Sequence, residues 1–275
     1  MAVSLNILYI GEVIGRAGIF ALKRLLPAIK AEYGIHLTIA CANGVTGGSG
    51  LGKAHSVYLR KLGIDVLTLG EGAFWKKDIV EVFPKQPWML RPANHPPGVP
   101  GRGWRIYPTS AGRVAVIQLL GQAGFGHTHL ENPFVLLEEL VPNLKAQCDA
   151  VVLEFRATTT AEKIAMAHHA DGRLAAVFGS YSRALSADAR VSALGTAAIT
   201  DAGRTGSIIS VGGMDAAVRI SEYLSGVPDW ARDATDGIEL QGCVLSVDSA
   251  GKALSLRAIR VPCKEVFHER AGSGD

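Results

Sequence analysis

The sequence predicts an α/β protein in which two β-sheets pack face to face and helices cover the outside. Two observations carry this. Short apolar runs alternate with amphipathic runs across the first 80 residues, and a period-two pattern around a tight turn returns at residues 238–261. The first pattern implies parallel strands joined by right-handed helical crossovers, and the second an antiparallel hairpin.

In chain order, "NILYIG" reads as a buried strand. "IFALKRLLPAIKAEY" is a helix with Leu22, Leu25, Leu26 and Ile29 at helical spacing. "HLTIACA" is a second strand, "AHSVYLRKLG" a second helix and "DVLTLG" a third strand. The stretch "RPANHPPGVPGRGW" carries Pro92, Pro96, Pro97 and Pro100, which forbid both helix and central strand, so it is an ordered loop. "WRIYPTSAGRVAVIQLLG" reads as two strands about a Ser-Ala-Gly turn, and "FVLLEELVPNLKAQ" as a helix. "DAVVLEF" and "AAVFG" are near-continuous apolar strands, and the late hairpin turns on Asp-Ser-Ala-Gly-Lys. Residues 1–266 are expected to form one domain, with 267–275 a frayed tail.

A chain of 275 residues buries roughly three quarters of its unfolded surface, so a large core is expected. Hydrophobic residues make up 48% and charged residues 19%. That balance leaves apolar surface to cover, and points to a homo-oligomer or a contact with other protein subunits. A net charge of +3 on dispersed basic residues gives no nucleic-acid footprint. Cys41, Cys148, Cys243 and Cys263 lack C-x-x-C spacing and read as reduced thiols of a cytoplasmic protein. No run approaches the ~18 apolar residues of a membrane span, so no membrane segment is expected.

Two glycine patterns suggest nucleotides and fail on detail. "GEVIGRAG" has the wrong spacing for a dinucleotide fingerprint, and no acid ends the second strand. "GGSGLGKA" satisfies G-x-x-x-x-G-K but places Ala54 where Ser or Thr should hold Mg²⁺. A flexible glycine loop ahead of a helix accounts for both. In "GHTHLE", His127, His129 and Glu131 share one face if extended, a candidate transition-metal set without a fourth partner. The strand ends carry more chemistry: Glu12, Asn43, Glu71, Arg156, and Tyr181 with Arg183 follow or end successive strands. In an open α/β sheet these converge on one cleft.

The order and spacing of these loops resemble the YmdB-like metallophosphoesterases, a branch of the calcineurin-like superfamily, over nearly the whole chain. "LYIGEVIGRAG", "GLGKAHSVYLRKLGIDVLTLGEGAFWKKDI", "RPANHPPGVPGRG", "ADGRLAAVFGSYSR", "SADARV", "GTAAITDAGRTG" and "GGMD" carry the resemblance. It implies a four-layer α-β-β-α sandwich of two mixed sheets and, in family members, two metal ions. Those ions are held by an Asp after the first strand, a Glu-Asn pair after the second, an Asn (followed by an acid His) after the third, and later histidines.

This sequence departs from that pattern. Glu12 stands for the Asp, Asn43 and Gly44 for the Glu-Asn pair, Glu71 and Gly72 for the Asn-His, Arg156 for a His, and Tyr181 and Arg183 for two more. Arginine has no lone pair to offer a metal and remains cationic. The expectation is therefore a catalytically degenerate protein, with no catalytic residue and no cofactor, kept as a structural or interaction subunit. Arg156 and Arg183 would neutralise Glu12 and Glu71. One alternative is a non-hydrolytic phosphate or nucleotide binder using Arg156, Tyr181 and Arg183. Another is a phosphodiesterase, for cyclic nucleotides among others, with one divalent ion at Glu12, Asn43 and Glu71 or near His127 and His129.

Overall fold

The computed structural model describes residues 4–125, 129–230, 232–265 and 267. Its first half runs β1 (Leu5–Ile10), β2 (Glu12–Val13), α1 (Gly15–Glu32), β3 (Leu37–Cys41), α2 (Lys53–Lys61), β4 (Val66–Thr68), α3 (Lys77–Val80), β5 (Met89–Leu90), β6 (Trp104–Thr109) and β7 (Gly112–Leu120). The second half runs α4 (Pro133–Lys145), β8 (Ala150–Arg156), α5 (Thr160–His169), β9 (Ala176–Ser180), β10 (Arg190–Val191), β11 (Ala197–Ile199), β12 (Arg204–Ser207), α6 (Ala216–Ser225), β13 (Ile238–Val247) and β14 (Ala253–Pro262).

Two mixed sheets result. In the first, β1, β3, β4 and β5 are parallel neighbours, and β13 runs antiparallel beside β1. β13 also pairs with β12 and, along its other edge, with β14. The second sheet has the order β10-β11-β9-β8-β7-β6, parallel from β7 through β8 and β9 to β11. The late hairpin thus joins the first sheet and does not form a sheet of its own, because its inward face matches the apolar face of β1.

The layers follow from alternation along the strands. Ile7, Tyr9 and Ile39 of the first sheet meet Val116, Val152 and Phe178 of the second in a buried core. The opposite faces, with Leu8, Ile10 and Ala40 on one sheet and Ile117, Leu153 and Phe155 on the other, pack against helices. In α1 the buried residues Ala17, Ala21, Leu22, Leu26 and Ile29 form the stripe that faces the sheet. This is the four-layer α-β-β-α arrangement expected. Tyr9 and Phe178 stack across the two sheets with centroids 4.6 Å apart and rings 1° from parallel, a pairing worth ~1 kcal/mol beyond its buried area.

The proline loop is ordered by one side chain. Arg91 donates to the carbonyls of Pro92, Val99 and Pro100, closing residues 91–100 into a ring. Short elements escaped the sequence reading: β2, β5, β10 to β12 and α3 are two to four residues long and carry weak periodicity, and the ten-residue α6 was missed as well. No helix among the described residues is long and apolar enough to cross a membrane.

Candidate functional site

Five strands deliver side chains to one cleft between the sheet edges. β1 passes through Gly11 to Glu12, β3 leads to Asn43 and Gly44, and β4 leads to Glu71 and Gly72. β8 ends on Arg156, and β9 ends on Ser180 before Tyr181 and Arg183. The sequence-predicted set at the strand ends is therefore brought together. Of the alternative histidine set, His127 lies outside the described residues, and His129 and Glu131 are exposed in the loop before α4.

The cleft floor is an ion-pair network. Arg156 is 2% exposed and Glu12 fully buried. Arg156 Nη1 donates to Glu12 Oε2 at 2.8 Å. Its Nη2 donates to Glu71 Oε1 at 2.9 Å and its Nε to Glu71 Oε2, so the guanidinium grips Glu71 with two parallel bonds. Arg183 Nη2 donates to Glu12 Oε1 at 2.7 Å and to the Gly48 carbonyl at 3.1 Å, while its Nη1 donates to the Gly212 carbonyl at 3.0 Å. Glu12 thus holds one arginine on each oxygen. Burial pushes the Glu12 carboxyl up, but the charges of Arg156 and Arg183 override it and hold the carboxyl at about 2. Burial pulls the Arg156 guanidinium down, and Glu12 and Glu71 drive it well above its ordinary value.

Two glycines make the network possible. A Cβ on Gly70 would lie 2.1 Å from Arg156 Cδ and 2.5 Å from its Nε, so only a bare backbone lets Arg156 lie across β4's end. A Cβ on Gly44 would meet Ile14 Cδ1 at 2.4 Å and Glu12 Oε1 at 3.0 Å. The volume for a ligand side chain at position 44 is therefore already filled. Asn43, 1% exposed, turns its Oδ1 to accept the N–H groups of Gly70 and Gly72, both at 3.0 Å, which fixes the Glu71 loop.

Over the network lies the loop after β9. Tyr181 at φ 113° and Arg183 at φ 58° are non-glycine residues in left-handed backbone, which persists only where surroundings over-determine it. Here Ser182 N–H donates to Asp201 Oδ2 at 2.7 Å, Lys163 Nζ binds the same oxygen at 3.1 Å, and Arg204 Nη1 donates to the Arg183 carbonyl at 2.8 Å. The result sets the Tyr181 ring 5.1 Å from Arg156 Cζ, a cation–π contact, with Phe125 edge-on to the ring at 5.7 Å.

Several of these partners were not singled out in the sequence. Lys163 and Asp201 lie on different elements, and no spacing links them. Glu154 was legible in principle, being an acid inside the apolar run "VVLEF". It is 1% exposed, burial pushes its carboxyl up, and Ser180 Oγ donates to its Oε1 at 2.8 Å. Its Oε2 and the Tyr9 hydroxyl find no partner among the described residues.

Over 268 residues the chain is 32% identical to the 2',3'-cyclic-nucleotide 2'-phosphodiesterase of Bacillus subtilis, covering 96% of this chain and 100% of that protein. A crystal structure of a novel phosphatase from Mycoplasma pneumoniae matches with TM-score 0.89 and 29% identity over 95% of each chain. That of a hypothetical protein from Thermus thermophilus matches with TM-score 0.87 and 29% identity, over 94% of this chain and 99% of that one.

These names overturn the expectation of no cofactor. Phosphodiesterases and phosphatases of the calcineurin-like superfamily are metal-dependent, which points to a divalent ion. The donors in this cleft do not fit a two-ion centre. Positions 156 and 183 carry cations, position 44 carries no side chain, and both Glu12 oxygens are held by arginine. Among the described residues, no three His, Cys, Asp or Glu side chains cluster so as to hold an ion. The disagreement concerns the site and not the scaffold. Residues 8–259 match the family described as YmdB-like protein, and on that match and its 32% identical relative the chain belongs to the YmdB-like protein family.

Proposed function

We propose that this phosphoesterase-family protein is a non-hydrolysing member whose reacting centre has become a closed ion-pair network, and whose role is interaction with other protein chains. One observation carries the reading: Glu12, just past the end of β1, accepts from Arg156 and Arg183 on its two oxygens, with Glu12 and Arg156 buried. Hydrolysis of a phosphodiester needs a nucleophile generated and a developing charge stabilised. The cleft's carboxylates are engaged with arginine, and its arginines with carboxylates and carbonyls. The same engagement weakens a phosphate-binding role, since the Arg156 and Arg183 bonds would first have to break.

The relatives' phosphodiesterase and phosphatase names favour a second reading, a hydrolase with a remodelled site. A generic phosphodiester such as bis(p-nitrophenyl) phosphate, assayed with and without added Mn²⁺, separates the two. The first reading expects a rate equal to the protein-free background under both conditions. Turnover that disappears in a Glu12→Gln variant establishes the second.

A further inference from the structure

Arg156 and Arg91 are both buried, and the fold treats them differently. Arg156 is met by two carboxylates, whereas Arg91, 9% exposed, meets only carbonyls among the described residues. Its Nε, Nη1 and Nη2 each donate one N–H, to Pro100, Pro92 and Val99 in turn. A guanidinium has five N–H groups, so one on each Nη is left over. The three carbonyls order the proline loop, but they do not supply the negative charge that a buried arginine ordinarily finds. Burial draws the Arg91 guanidinium down with no carboxylate to offset it, and burial together with the Arg91 charge holds the His95 imidazole at about 4.

Arg91 stands in the wall of a hollow of about 240 Å³. Leu136 and Leu140, one turn apart on α4, make its apolar side with Trp104 of β6, and Arg102 is its second cation. Among the described residues no acid lines it, and a small neighbouring hollow that shares Arg102 adds Arg105 and no acid either.

We infer that this hollow binds an aromatic monocarboxylate, with its ring against Trp104, Leu136 and Leu140 and its carboxylate at Arg91 and Arg102. A carboxylate brings the charge that Arg91 lacks and matches the fork of a guanidinium. A cavity of ~150 Å³ admits a benzene ring, so this one has room for a ring and its acid group. Apolar walls with a few placed polar groups are the ordinary make-up of a small-molecule site. A bare phosphate would meet the arginines and leave the apolar side empty. The hollow shares no residue with the strand-end cleft, so the inference goes beyond the reading of that cleft.

Titration calorimetry of the full chain with sodium benzoate at pH 7 is expected to show one site per chain with a Kd of ~0.3 mM. Benzamide, the same ring without the charge, and inorganic phosphate, the charge without the ring, should each bind at least ~10-fold more weakly. Arg102→Gln should raise the benzoate Kd ~10-fold. Leu140→Trp, whose larger ring occupies the hollow, should abolish binding. Arg102 is exposed and Leu140 half-buried, and melting curves show that each variant is folded. Arg91 is left in place because the proline loop rests on it. Benzoate that fails to bind below ~10 mM overturns the inference, as does undiminished binding in either folded variant. Benzamide or phosphate bound as tightly as benzoate overturns it equally, since the site would then read only one half of the ligand.

Discussion

Arg156 and Glu12 lie 144 positions apart in the chain, yet their side chains meet at 2.8 Å where neither is open to solvent. A buried pair of this kind adds little net stability over an apolar substitute, but losing one partner strands a charge. Arg156→Ala removes the cation that Glu12 and Glu71 share. It should lower unfolding free energy by about 3 to 5 kcal/mol, read from urea unfolding at neutral pH.

Gly70→Ala should imitate that loss without touching a charge. The added methyl falls on Arg156 Cδ and drives the guanidinium off Glu71. A cost of about 2 kcal/mol or more is expected in the wild-type chain. In an Arg156→Ala background the same change should cost less than ~1 kcal/mol, because the obstruction has gone. Equal costs in both backgrounds would show that Arg156 does not lie across Gly70.

Acid should weaken the fold through Glu12. Its carboxyl sits at about 2 when folded against an ordinary 4.5, so the unfolded chain binds the extra proton between those values. The contribution is complete above 4.5 and is lost as pH falls toward 2, amounting to about 3 kcal/mol. Measured against Glu12→Gln, the wild type's advantage at pH 7 should shrink steadily below pH 4.5.

Glu154 should show the opposite sign. Burial raises its carboxyl, so its contribution is present below the ordinary carboxylate range and declines as pH rises. Glu154→Gln keeps an oxygen for Ser180 and removes the cost of burying an acid. A gain in stability is expected at pH 7 that shrinks as the pH falls through the carboxylate range, by thermal unfolding at pH 7 and pH 4.

The strands that frame the cleft were legible because each is an apolar run of strand length ending in glycine or a polar residue, as in "NILYIG" and "AAVFG". That Arg156 ends a strand at the cleft was legible from the apolar run "DAVVLEF" that precedes it. Its double grip on Glu71 was not, since nothing local says which carboxylate a residue 85 positions away will face. Gly70 has meaning only once Arg156 is placed against it. α6 was legible in principle, since Ile220, Tyr223 and Leu224 stand at helical spacing between Asp215 and Gly226, but it went unread. The expectation of no cofactor rests on the residue types at Glu12, Gly44, Arg156 and Arg183 alone, and the relatives' names as phosphodiesterases and phosphatases overturn it.

If Arg156 and Glu12 bear on each other as a buried pair, their losses cannot add. A double-mutant cycle of Arg156→Ala and Glu12→Gln, followed by urea unfolding at pH 7, measures that coupling. The expected value is about 3 kcal/mol, within the range of groups sharing one network. Additive losses, with coupling below about 0.5 kcal/mol, would contradict the pairing.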